Sequence, residues 1–137
     1  MWSDDLRTAH FGHHILADCD LIRADCFPAR DGYRRSLVLA ERMQDSLEIA
    51  LEIEGVGMAS AGCGEPEVAL RLGGAAAAIL ERLEIVTDVP FWTAFEERWF
   101  GLAREALGPA AEAAWDAGRT MSMTEAIREA LAAPMPA

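Results

Sequence analysis

Lysine is absent from this 137-residue sequence, and all 12 basic residues are arginine. The absence removes two chemistries at once. There is no Walker A lysine for an ordinary P-loop, and no side-chain amine for a Schiff base. Positive charge is scarce altogether. The formal net charge is −11, and Arg34–Arg35 is the one basic dipeptide. Such a surface repels phosphate backbones, so direct nucleic-acid binding is not expected. Cysteine is also sparse. Cys19, Cys26 and Cys63 are odd in number and form no CxxC pair, which suits a reducing compartment. No apolar run approaches the roughly 20 residues that span a bilayer. The opening MWSDDLRT has acids where a secretory leader has basic residues. The expectation is a cytoplasmic protein with no membrane contact.

What the sequence does have is helix-forming material. Hydrophobic residues make up 52%, alanine is abundant and β-branched residues are few. A chain of this length reads as one domain over residues 1–137, large enough to bury a core without disulfides or metal. Seven helices are predicted. The first runs from a Ser3 cap to about Ala24, and the second starts at Pro28 and ends near Met43. Asp45 or Ser46 caps the third, which Gly62 closes in a left-handed turn. Pro66 opens the fourth, which ends near Leu83. Thr87 or Asp88 caps the fifth. Gly108–Pro109 separates it from the sixth, which Gly118 stops. Ser122 and Glu125 form a capping box for the seventh, and Pro134 and Pro136 forbid much continuation.

Two segments repeat at a spacing of 37 or 38 residues, RADCFPARDGYRRSLVLA and ASAGCGEPEVALRLGGAA. In each, a cysteine in a turn precedes a proline and then an amphipathic helix. Helix pairs at this period indicate stacked α-hairpins. The predicted fold is all-α: two tetratricopeptide-like helical hairpins over residues 1–86, closed by a three-helix C-terminal cap over residues 87–137.

Two further segments carry a family resemblance. Gly64-Glu65-Pro66-Glu67, followed by Ala69-Leu70-Arg71-Leu72-Gly73-Gly74-Ala75-Ala76, resembles the repeats of large bacterial signal-transduction ATPases, many of which carry a LuxR-type DNA-binding domain. Ala106-Leu107-Gly108, Ala114-Trp115-Asp116-Ala117-Gly118-Arg119 and Ser122 resemble the closing segment of the same helical-repeat region. The resemblance spans about residues 30–132 and excludes both the ATPase core and the DNA-binding domain. It implies a helical-repeat module tied to transcriptional regulation and signalling.

Candidate chemistry concentrates in HFGHHILADCDLIRADCF, residues 10–27. His10, His14 and Asp18 are spaced i, i+4, i+8 and share one helix face. That spacing permits acid–base work, with Asp18 orienting His14. It also permits metal chelation by the same three residues. The plainer alternative is a polar face that lines a groove or meets solvent. No HExxH-type motif is present, and no metal or cofactor is expected. Phe11, Ile15, Cys19, Ile22 and Cys26 follow helical periodicity and are expected to form the buried stripe. Phe91, Phe95, Trp99, Leu102 and Ala106 form another such stripe. Trp92 and Phe100 fall off it and are candidates for a pocket or subunit interface, with core packing as the plainer alternative. Glu54 is expected to face the groove, and Glu48 and Glu52 to form an exposed acidic edge.

The expected function is recognition of a protein partner or small molecule in a concave groove lined by the first and third helices. The candidate contacts are His10, His14, Asp18, Glu54, Trp92 and Trp99. The apolar open end of a two-repeat array allows a homodimer. The alternative is a small enzyme that uses the same histidine–aspartate face.

Overall fold

The computed structural model describes the backbone of residues 2–132 and the side chains from Asp5 to Ala132. Those residues form α1 (Trp2–Ile22), α2 (Cys26–Met43), α3 (Ser46–Gly62), α4 (Pro66–Arg82), α5 (Pro90–Leu107), α6 (Ala111–Arg119) and α7 (Met123–Leu131), with a 3₁₀ turn at Gly108–Ala110. Among the described residues there is no strand, so the chain is all-α. The expected Ser3 cap and the prolines at 134 and 136 lie outside the described side chains.

Most helix starts follow from local sequence. The Asp45 carboxylate accepts the Glu48 backbone N–H at 3.2 Å and caps α3. Pro66 occupies the first turn of α4. Ser122 and Glu125 complete their capping box at the start of α7. Several boundaries differ from expectation. Ala24 takes a left-handed conformation, so α1 stops at Ile22 and α2 starts at Cys26. The left-handed glycine after α3 is Gly64, with φ +82°, not Gly62. Neither Thr87 nor Asp88 caps α5, whose N-cap is Val89 without a side-chain bond.

Helices α1 and α2 pack as one hairpin, α3 and α4 as a second, and α2 packs on α3 to stack the two. Helix α5 crosses α3 and α4, while α6 lies along α4. Helix α3 is the central element, buried from Glu52 to Ala61 without a break. The small residues of α4 allow close approach. A Cβ on Gly74 would meet the Trp115 carbonyl, and one on Gly118 would meet the Arg71 carbonyl. Gly118 therefore lies within α6 as a contact point, not as its stop signal. Helix α7 is tied down by Arg34, whose Nε donates to the Ala130 carbonyl at 2.9 Å, and by Arg71, whose Nε donates to Glu129 at 2.7 Å.

Helix α1 presents the opposite of its predicted face, and α5 turns only part of its predicted stripe inward. In α1, Phe11, Ile15, Cys19 and Ile22 are exposed, Phe11 by 65%. Ala17, Leu21, His10 and Asp18 are buried instead. Cys26 is buried, but it belongs to α2. In α5, Trp92, Phe95, Trp99 and Phe100 are buried, while Phe91, Leu102 and Ala106 are exposed. Phe100 fills space left by Gly57 and Gly73.

Candidate functional site

The buried face of α1 meets α3 through side chains, above a floor formed by α2. His14 sits at the centre. Its Nδ1 hydrogen-bonds Glu52 on α3, and its Nε2 lies 3.3 Å from the Asp18 carboxylate one turn along α1. Asp18 also accepts the Tyr33 hydroxyl at 2.6 Å. His10 Nε2 lies 3.6 Å from Glu52 and 3.7 Å from Glu48. Ser36 on α2 donates to the His10 carbonyl at 3.1 Å. The result is a continuous polar chain from Tyr33 through Asp18, His14 and Glu52 to His10.

Electrostatics follow from this placement. Burial works to lower the His14 pKa, but the hydrogen bond and charge of Glu52 outweigh it, and the net shift is upward. With a carboxylate at each nitrogen, the imidazolium satisfies both sides as a double donor. Burial pushes Glu52 up, opposed by His14. Burial also raises Asp18, opposed by the Tyr33 hydroxyl and His14. His10 moves the other way. Burial lowers it, and the His14 charge lowers it further against the pull of Glu52. His10 Nε2 and Glu52 Oε2 are buried without hydrogen-bond partners.

Trp92, from the first turn of α5, completes the site. Its ring stacks on His14, with centroids 5.5 Å apart and planes inclined by 26°. A cationic imidazole over an indole face is favourable. The Trp92 indole N–H donates to Glu54 on α3. Burial first, and then the charge of Glu96 on α5, push the Glu54 pKa up to about 8. Residues 52 and 54 thus serve opposite sides of α3. Glu52 holds α1, and Glu54 holds α5.

Beside the stacked pair lies a half-open cavity of about 170 Å³, lined by His14, Leu51, Thr87, Val89, Phe91 and Trp92. Its walls are almost entirely apolar. The exposure of Phe91, unexpected from the stripe it continues, is explained by its place on this rim.

Of the predicted residues, His10, His14, Asp18, Glu54 and Trp92 gather around α3. Trp99 does not join them. It packs near Gly62 at the end of α3, with Arg98 over its ring. Two expected exposures are corrected. Glu52 is fully buried and central, and Glu48 is half-buried, because both face the histidines of α1. Tyr33, Leu51 and Glu96 were not singled out as site residues. One signal could have found Glu52: it stands 38 residues after His14, one repeat along the chain.

Both His14 nitrogens face carboxylates, and among the described residues no group of three or more histidine, cysteine or acidic side chains is arranged to hold a metal ion. The thiols of Cys26 and Cys63 are not activated. Burial raises Cys26 and takes Cys63 up to about 11. No helix among the described residues is long and apolar enough to cross a membrane. Comparison of the chain with known protein families, curated proteins and solved structures gave no match.

Proposed function

We propose that this chain is a binding module of tetratricopeptide-like hairpins, related to the helical-repeat regions of bacterial transcriptional and signalling regulators. Its site accepts an apolar group, from a small molecule or a partner protein, in the cavity beside His14 and Trp92. Register supports the array. His14–Glu52, Glu54–Trp92 and Glu81–Arg119 each join residues 38 positions apart. The first two link α1 to α3 and α3 to α5, and the third links α4 to α6. On this reading α5 and α6 continue the register of the two predicted hairpins, each packing on the second hairpin more than on the other, with α7 as the cap.

The cavity itself is the observation that carries the binding reading. A space near 170 Å³ suits one aromatic ring or branched side chain. Burying such a group contributes about 1.5–3 kcal/mol. The net charge of −11 over the whole chain favours a neutral or positively charged ligand over an anionic one. Acid–base or metal chemistry at the same face receives less support, since both His14 nitrogens face carboxylates and neither His10 nor Asp18 lines the cavity.

Indole is a suitable first probe. In a nitrogen-15 NMR titration, saturable shifts are expected for Leu51, Val89 and the Trp92 side-chain N–H. Leu51→Trp, which fills the cavity, should abolish them. Absence of saturation, or saturation unchanged in the filled variant, would rule the site out.

A further inference from the structure

We infer that the outward face of α1 is a self-association surface whose partner is a second copy of this chain. The face begins with an inversion of ordinary burial. Phe11 and Leu16 are each 65% exposed, Ile22 is 59% exposed, and Ile15 lies with them. Phe27 at the start of α2 continues the patch at 61%. Contiguous apolar exposure of this kind marks an interface more often than an accident of composition. Within the described chain, α1 packs closely on α2, which leaves this side uncovered.

Gly12 gives the second argument. At about 100° per residue, it falls at the centre of the exposed arc, between Ile15 and Cys19 on one side and Leu16 on the other. A Cβ there would meet nothing within 4 Å. Gly12 has no positive φ to require glycine. Inside a helix it costs roughly 0.5–1 kcal/mol relative to alanine. Gly74 and Gly118 sit where a neighbouring helix comes close, while Gly101 on α5, like Gly12, meets nothing within 4 Å. Set among exposed apolar side chains, Gly12 leaves room for a second helix supplied by another molecule.

Charge selects the occupant. A chain of net charge −11 repels its own copies in general. Along the α1–α2 edge of this face, however, both signs occur together. A groove of about 370 Å³ is lined by His13, Leu16, Asp20, Phe27, Asp31 and Arg35, among others. Arg35 is exposed and has no ion-pair partner among the described residues. In a two-fold interface each contact occurs twice, so Arg35 of one copy can meet Asp31 of the other, and the reverse, while Asp20 is already paired with Arg23 of its own chain. The patch is complementary to itself. It lies on the opposite side of α1 from His14 and is independent of the cavity.

Sedimentation equilibrium over a wide concentration range tests this, with Gly12→Leu and Leu16→Glu as variants. The expected result is a dimer of the natural chain, with dissociation constants raised about tenfold or more in both variants and helix content retained. Gly12→Leu extends into open space and Leu16 is already exposed, so neither threatens the monomer fold. A short bis-maleimide should also join Cys19 to Cys19 in a Cys63→Ser background, which locates the contact. A constant monomer mass would overturn the inference. So would a dimer indifferent to both variants, since the association would then use another face.

Discussion

The indole of Trp92 stacks on the imidazole of His14, with centroids 5.5 Å apart and planes inclined by 26°, and its N–H reaches Glu54 on the helix between them. One side chain therefore joins α1, α3 and α5. Trp92→Phe keeps a ring over His14 but leaves Glu54 without its donor, at a cost of about 1–2 kcal/mol. Trp92→Ala removes the stack as well and costs about 3–5 kcal/mol. Urea denaturation of both variants measures the difference. Equal losses would mean that the stack contributes nothing.

Glu52 is the counter-charge for a half-buried His14. Glu52→Ala is expected to cost about 1–3 kcal/mol, because it leaves His14 Nδ1 without its acceptor while Asp18 remains at Nε2. The double variant with His14→Leu should recover part of that loss, since replacing both partners with apolar groups removes the unpaired donor. A double-mutant cycle in denaturant checks this. Strict additivity would mean that the two groups do not interact.

Stability should fall as pH rises through neutrality. Glu54 rises from 4.5 to about 8 on folding, by burial and then by Glu96. The folded chain thus keeps a proton that the unfolded chain has released, and stability declines between those values. Glu52 and Asp18 shift in the same direction by burial. His14 is also raised, so its contribution is full below 6.5 and is lost as pH climbs through its folded value. His10 is lowered and opposes the others only as pH falls through 6.5. The thermal midpoint should therefore be higher near about pH 6 than near about pH 8.5, and Glu54→Gln should flatten the slope. A midpoint that climbs over this interval would contradict the assignment.

The α4–α6 contact depends on two glycines. Gly118→Ala places a methyl against the Arg71 carbonyl, and Gly74→Ala places one against the Trp115 carbonyl. Each should cost about 1–3 kcal/mol through overpacking, despite the gain in helix propensity. Thermal unfolding distinguishes this from the alternative, in which alanine at either position stabilises the helix.

Where the sequence could be read, the reading rested on local chemistry. Asp45, Pro66 and the Ser122–Glu125 box start their helices with groups that lie within three residues of each other. Tyr33, Leu37 and Ala40 form the buried face of α2 that their spacing predicts. The candidate site was legible only in part. His10, His14 and Asp18 stood out as a shared face, but Glu52 looked like a solvated acid. Its partners come from a helix 38 residues earlier.

The sequence by itself determined the helices, the N-caps of α3 and α7 and the repeat spacing, because each depends on neighbours a turn or a repeat away. Only the tertiary structure decided which side of α1 and α5 turns inward. Periodicity places Phe11, Ile15 and Ile22 together on α1, but it carries no sign for inside and outside. That sign came from α2 and α3. Tyr33 and Glu52 supply hydrogen-bonding partners that make burial of Asp18 and His14 tolerable. The polar face could then be buried, and the apolar face was left outward.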